Sequence, residues 1–237
     1  MKQLLLFDID GTLVDTGGAG LAALLGGMRE AFPLQASGSL PPLDLRGATD
    51  AGVIRTLFAA CGIEDLAENR SRFVEVYLQK LILGLQDHED QFRPRALPGA
   101  GALLSILAQN PEQYSLGLLT GNLEAGAFAK LRHFNLHGYF QFGAFGLDRE
   151  QRIELGPIAL ARARVATGRD FRASDTVIIG DTPKDVECAR AFGARCIAVT
   201  TGGFSSQEME PHAPDALIPD LSSPDELLRI LGGWIER

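Results

Sequence analysis

The sequence predicts an α/β fold: a doubly wound parallel sheet interrupted by one inserted helical domain. Three observations carry that reading. The apolar run Leu4-Leu5-Leu6-Phe7 is long enough for a buried parallel strand and stops abruptly at two carboxylates, Asp8 and Asp10, flanking Ile9. From Gly99 onward strand-like and helix-like segments alternate, as in a parallel sheet covered on both faces. Between these regions, residues 17–90 show helical patterns and no strand pattern. The expected architecture is a Rossmann-like core of residues 1–16 and 98–237, with an α-helical insertion at 17–97.

In chain order, Gly11 suits a tight turn after the first strand, and Gly17-Gly18-Ala19-Gly20 makes a flexible exit. Leu21, Leu24, Leu25 and Met28 then recur at helical spacing up to Phe32. Residues 33–46 contain Pro33, Ser37, Gly38, Ser39, Pro41 and Pro42 and read as loop. Gly47-Ala48-Thr49-Asp50 offers an N-cap to a helix carrying Val53, Ile54, Leu57 and Phe58 that ends near Cys61-Gly62. A third helix, over about 65–85, places Leu66, Phe73, Val76, Tyr77, Leu81 and Ile82 on one side, and a charged linker at 90–97 closes the insertion.

After Pro98-Gly99, a helix at 100–109 leads to a strand at 114–119 that ends in Thr120-Gly121-Asn122. A helix at 123–133 precedes a weaker aromatic strand at 140–145 and the polar loop 148–154. A helix at 157–167 precedes a strand at 176–179, which ends in Gly180-Asp181-Thr182-Pro183-Lys184-Asp185. A helix at 184–192, strands at 196–199 and 216–218, and a helix at 224–235 follow.

With 237 residues, 46% of them hydrophobic, the chain has material for a well-buried core and a smaller domain. Lys and Arg number 22 against 30 Asp and Glu, a formal charge of -8, and there is no long basic run. That balance argues against nucleic acid or anionic membrane as a partner. Cys61, Cys188 and Cys196 are an odd number without metal-ligand spacing and read as reduced thiols. The first apolar run is too short for a secretory signal and no segment approaches a membrane span, so a cytoplasmic location is expected. Oligomeric state is not written in a single chain.

In an extended chain Asp8 and Asp10 share a face, so their charges converge, and a bound cation is the simplest relief. Thr12 adds a hydroxyl and an N–H suited to a phosphate oxygen. Ligands of open parallel sheets bind beyond the carboxyl ends of the strands, and three strands here end in useful groups: Asp8/Asp10, Thr120/Asn122 and Asp181/Asp185. Their convergence in one crevice is expected. His133 and His137 stand four apart, but Asn135 and Gly138 mark a helix end and no carboxylate partner is evident, so a zinc pair is not expected.

The stretch Asp8-Ile9-Asp10-Gly11-Thr12-Leu13 at the end of an N-terminal strand resembles the first motif of the haloacid dehalogenase superfamily. Thr120 and Gly180-Asp181 with Asp185 are similar to its second and fourth motifs, and the insertion is similar to its helical cap, so the resemblance spans nearly the full chain. It implies Asp8 as the nucleophile that becomes an aspartyl phosphate, and Asp10 as the acid for the leaving alcohol and then the base for water. It implies Mg²⁺ on the Asp8 carboxylate, the Asp10 carbonyl and Asp181, with Asp185 orienting a water. Gly11, Thr12, Thr120 and the N–H groups of Gly121 and Asn122 are the implied phosphate contacts.

The third motif departs from the family pattern. Its usual lysine is missing, because no lysine lies between Lys130 and Lys184. Arg152, ahead of Glu154-Leu155-Gly156-Pro157, is the candidate replacement, since a guanidinium can neutralise the same groups with fork geometry. Arg149 is the second candidate, and a solvated loop arginine is the plain alternative.

Within the insertion, Arg46, Thr49 and Asp50 form the most polar cluster. The similar stretch in phosphoglycolate-phosphatase-like members often faces the substrate, which makes Arg46 and Thr49 candidate substrate contacts. Thr49 or Asp50 fits a plain N-cap equally well, and Asp185 also fits a capping role. The function the resemblance implies is Mg²⁺-dependent hydrolysis of a small phosphorylated metabolite, nearest to the phosphoglycolate phosphatase group on Leu13-Val14-Asp15-Thr16 and Gly47-Ala48-Thr49-Asp50. A phosphomutase of the β-phosphoglucomutase type shares every core residue. Haloalkanoic acid dehalogenase chemistry is opposed by Asp10 and the Asp181/Asp185 pair. A non-catalytic phospholigand-binding protein is favoured only by the missing lysine. Gly17-Gly18 and residues 90–97 are the expected hinges of a cap that closes to exclude bulk water.

Overall fold

Side chains of the first strand, β1 (Gln3–Phe7), point alternately to the two faces of a sheet. Leu5 and Phe7 enter one apolar cluster, Leu4 and Leu6 the other, and all four are fully buried. The computed structural model describes residues 2–36, 38–86 and 92–235. Ser37 of the expected loop and residues 90–91 of the expected linker lie outside them.

After β1 come β2 (Val14–Asp15), α1 (Ala19–Ala31), α2 (Asp50–Cys61), α3 (Ala67–Gln86) and β3 (Arg95–Ala96). They are followed by α4 (Ala100–Ala108), β4 (Tyr114–Leu119), α5 (Glu124–His133), β5 (Gly143–Ala144) and α6 (Leu155–Thr167). The last elements are β6 (Thr176–Gly180), α7 (Pro183–Phe192), β7 (Arg195–Val199), α8 (Ser206–Met209), β8 (Ala216–Ile218) and α9 (Pro224–Ile235).

Six strands form one parallel sheet in the order β5-β4-β1-β6-β7-β8. Leu5 of β1 pairs with Leu116 of β4 on one side and Val177 of β6 on the other. One face packs against α4, α5 and α9 through Leu103, Leu131 and Leu231, and the opposite face against α6 and α7 through Leu155, Ala159 and Val186. The sheet is therefore doubly wound, and strand order reverses at β1, where a crevice opens beyond the strand ends.

The insertion has a separate apolar centre in which α1, α2 and α3 bring together Met28, Phe58, Phe73 and Tyr77, joined by Leu123 from the start of α5. Leu66 and Ile82, expected on its buried side, are exposed instead. Two main-chain bonds help dock it beside the sheet: Asp50 N–H donates to Gly121 O at 2.7 Å and Ala51 N–H to Gly146 O at 2.9 Å. A Cβ at Gly121 would lie 1.8 Å from Ala48 O, so only glycine permits this approach.

Two local expectations change. The aromatic strand expected at 140–145 shrinks to Gly143–Ala144, because Phe140 and Phe142 turn into opposite cores and residues 137–139 form a 3-10 turn. The two linkers of the insertion pair with each other as an antiparallel ribbon, Val14 with Ala96 and Asp15 with Arg95, although neither segment is long enough to show a period. Cys61, Cys188 and Cys196 form no disulfide. No helix among the described residues is long and apolar enough to cross a membrane.

Candidate active site

The ends of β4, β1 and β6 lie side by side and bring Thr120, Asp8 and Asp181 to the wall of one cavity of about 390 Å³, which Leu21, Leu24 and Val53 of the insertion also line. Beyond β1 the chain folds back tightly: Leu13 N–H and Val14 N–H both donate to Ile9 O, and Gly11 adopts φ +81°. A Cβ on Gly11 would lie 2.3 Å from an Asp181 oxygen, so the turn closes over that carboxylate only because the residue is glycine.

Asp8, Asp181 and Asp185 are buried, and one oxygen from each falls within 4.8 Å of the others. Arg152 reaches into this cluster, with Nη2 2.5 Å from Asp185 Oδ1 and 3.3 Å from Asp8 Oδ2, while also donating to Leu119 O at 3.2 Å. Burial opposes its charge, yet the Asp185 and Asp8 carboxylates hold the guanidinium firmly protonated. One cation among three buried carboxylates leaves the cluster short of positive charge. Burial first, then repulsion from Asp185 and Asp10, pushes Asp8 up to about 6 against the pull of Arg152. Burial and the neighbouring Asp8 and Asp185 raise Asp181 well above the usual carboxylate range. An all-oxygen donor set with uncompensated charge fits a hard divalent cation.

The remaining expected residues fall into two groups. Asp10, Gly11, Gly121, Asn122 and Arg46 join Asp8, Thr120, Arg152 and Asp181 on the cavity wall. Arg46 is exposed there, paired with Asp44 at 2.9 Å and stacked over the Phe204 ring at 4.9 Å. Thr12, Thr49 and Asp185 instead face protein partners. The Thr12 hydroxyl donates to Asp181 Oδ1 at 3.2 Å, so the side chain orients a carboxylate. Thr49 caps α2 by accepting from Gly52 N–H and donates to Glu150 O at 2.6 Å. Asp185 closes a capping box with Thr182 at the start of α7, and its other oxygen holds Arg152. Arg149 is at the surface, donating to Asp148 O.

Lys130 stands at the site without a place in the sequence reading, and Asp50, expected only as part of the Arg46, Thr49 and Asp50 cluster or as a cap, stands there with it. Lys130 of α5 is almost fully buried, and its ammonium donates to both oxygens of Asp10 at 2.8 and 2.6 Å and to Asn122 Oδ1 at 2.6 Å. Its sequence signal is its place among Gly126, Ala127 and Leu131, the buried face of α5, where a lysine needs a partner. Asp50, read as a cap, accepts from Leu123 N–H at 2.6 Å, and burial pushes its carboxyl up to about 6.

A family model described as haloacid dehalogenase-like hydrolase matches residues 5–199. The probable phosphatase IndB of Dickeya dadantii (strain 3937) is 28% identical over 94% of this chain and 91% of its own length. A phosphoglycolate phosphatase of Caulobacter vibrioides (strain ATCC 19089 / CIP 103742 / CB 15) is 30% identical over 90% of this chain and 84% of its own. In structure, a β-phosphoglucomutase from Clostridium difficile covers 100% of both chains with a TM-score of 0.71 at 15% identity, a likeness of fold alone. Because the family match runs from β1 through β7, with all three motif-bearing strand ends inside it, the chain belongs to the haloacid dehalogenase-like hydrolases.

Proposed function

We propose that the protein is a Mg²⁺-dependent phosphatase that hydrolyses a small phosphomonoester through an aspartyl phosphate on Asp8. The observation that carries this reading is the pairing of two carboxylates at one cavity: Asp8, buried beside Arg152, and Asp10, two residues on and open to the same space. The relatives named phosphatases support it, as does the buried cation Arg152 beside Asp8.

The Asp8 carboxylate attacks phosphorus, the ester P–O bond breaks, and the departing alcohol oxygen takes a proton from Asp10. Water then attacks the same phosphorus and gives its proton to Asp10, the P–O bond to Asp8 breaks, and both carboxyl groups return to their starting states. The N–H groups of Gly121 and Asn122 and the Thr120 hydroxyl hold phosphoryl oxygens at the start of α5. Arg152 keeps Asp8 aimed and its charge balanced, with Asp185 fixing Arg152 from behind. Asp8 and Asp181, with the Asp10 carbonyl, would hold Mg²⁺, with Asp185 beside them; Thr12 fixes the Asp181 carboxylate and Asp185 fixes Arg152. When bound, the ion supplies neutralisation of the charge that develops on the transferring phosphoryl group. Residues 17–97 act as a cap that excludes bulk water from the core formed by 1–16 and 98–237. Reduced cysteines suit a cytoplasmic enzyme.

The test is phosphate release from phosphoglycolate, sugar phosphates and nucleoside monophosphates, with Mg²⁺ and then with EDTA. Metal-dependent release, lost in a folded Asp8→Asn variant, is the expected result. Full activity in Asp8→Asn would sink the mechanism, and no release from any ester would sink the phosphatase reading.

A further inference from the structure

We propose that Lys130 is a positioning residue for Asp10, setting the direction in which Asp10 meets the leaving-group oxygen; the inference rests on the phosphatase reading above. All three ammonium hydrogens of Lys130 are committed, two to the Asp10 carboxyl oxygens and one to Asn122 Oδ1. The Asn122 amide in turn donates to Asp10 Oδ2 at 2.7 Å and to the Thr120 hydroxyl at 2.8 Å. The side chain expected to move protons is thus linked to the phosphate-binding strand end through one closed set of contacts.

The exposures of the two partners separate this from an ordinary structural ion pair. The Lys130 side chain is 5% exposed, whereas that of Asp10 is 41% exposed, and its open side faces the cavity. A side chain that open, on a turn, is only partly held by packing. Lys130 and Asn122 hold its buried edge, so the free edge is presented to whatever occupies the cavity. Asp50 and Tyr77 of the insertion line the same space, so the lysine stands where core and insertion meet.

Leaving groups provide the test. An alkyl alcohol needs a proton from Asp10 as it departs, whereas p-nitrophenolate leaves without one, and kcat/KM reports the steps up to that departure. In Lys130→Met, kcat/KM for the alkyl ester best used by the wild type should fall, relative to kcat/KM for p-nitrophenyl phosphate, by roughly 10²-fold. Adding Lys130→Met to Asp10→Asn should cause no further loss, because the lysine acts through Asp10. Equal losses on both esters, no loss on either, or an additive loss in the double variant would overturn the proposal. Lys130→Gln, which keeps one amide donor for Asp10, carries the same comparison if the methionine variant does not fold. A wild type inert towards both esters is a separate outcome, which overturns the phosphatase reading and this inference with it.

Discussion

Arg152 holds Asp185 at 2.5 Å and Asp8 at 3.3 Å through one guanidinium nitrogen, so the expected nucleophile and the cap of α7 share a single cation. Arg152→Ala leaves these carboxylates facing one another in a buried site. Breaking a buried pair from one side costs about 3–5 kcal/mol, and that loss should appear in denaturant unfolding. Turnover should fall by on the order of 10²-fold or more, as for loss of one preorganised donor. Arg152→Lys should recover part of both, and Arg149→Ala should resemble wild type. A larger effect at Arg149 would move the third-motif assignment to the surface arginine.

Asp50 makes a prediction about pH. Its folded value of about 6 lies above the ordinary carboxylate value, so the folded state keeps a proton that the unfolded state releases. The resulting penalty is absent below about pH 4, grows as pH rises towards 6, and is full above that, on the order of 3 kcal/mol. Asp50→Asn retains an oxygen to accept from Leu123 N–H. Its unfolding free energy should exceed that of wild type at pH 7.5, with the difference vanishing near pH 4. A difference independent of pH would show that Asp50 is not the responsible group.

Metal binding is testable without turnover. Mg²⁺ that binds only the folded protein should raise its stability by about 2.7 kcal/mol at a hundredfold excess over Kd, and EDTA should reverse the gain. Asp181→Asn should abolish the response. Gly202→Ala should do the same, because its Cβ would lie 1.7 Å from an Asp181 oxygen and displace that carboxylate. A thermal shift with Mg²⁺ retained in both variants would place the ion elsewhere.

Thr49 and Arg46 should separate in steady-state kinetics. Thr49→Ala removes a helix cap and should cost about 1 kcal/mol of stability while leaving KM near the wild-type value. Arg46→Ala, at the cavity wall, should raise KM with little change in stability. A KM effect at Thr49 would restore it to the substrate contacts.

The strand ends were legible because charge following an apolar run needs only local reading: Asp8, Thr120 and Asp181 all arrive where the pattern put them. Arg152 was legible through its place ahead of α6. Lys130 was not singled out, since its partner lies 120 residues away and a lysine near a helix C-terminus also satisfies the helix dipole. Asp50 and Thr49 show the same limit: a capping sequence is local, whereas the docking of Asp50 on Leu123 depends on how the insertion meets the sheet. The short ribbon of β2 and β3 carried no periodic signal at all.

That ribbon has a genetic consequence. Asp15 and Arg95 are paired residues of adjacent strands, their side chains joined at 2.6 Å, and Leu97 N–H continues the pairing to Leu13 O. Paired residues of antiparallel strands have their Cα atoms about 5 Å apart, a gap that a two-residue hairpin turn closes. The segment between them therefore has both crossover points at one place in space, and exchanging it between relatives should leave the sheet that carries Asp8 uncut.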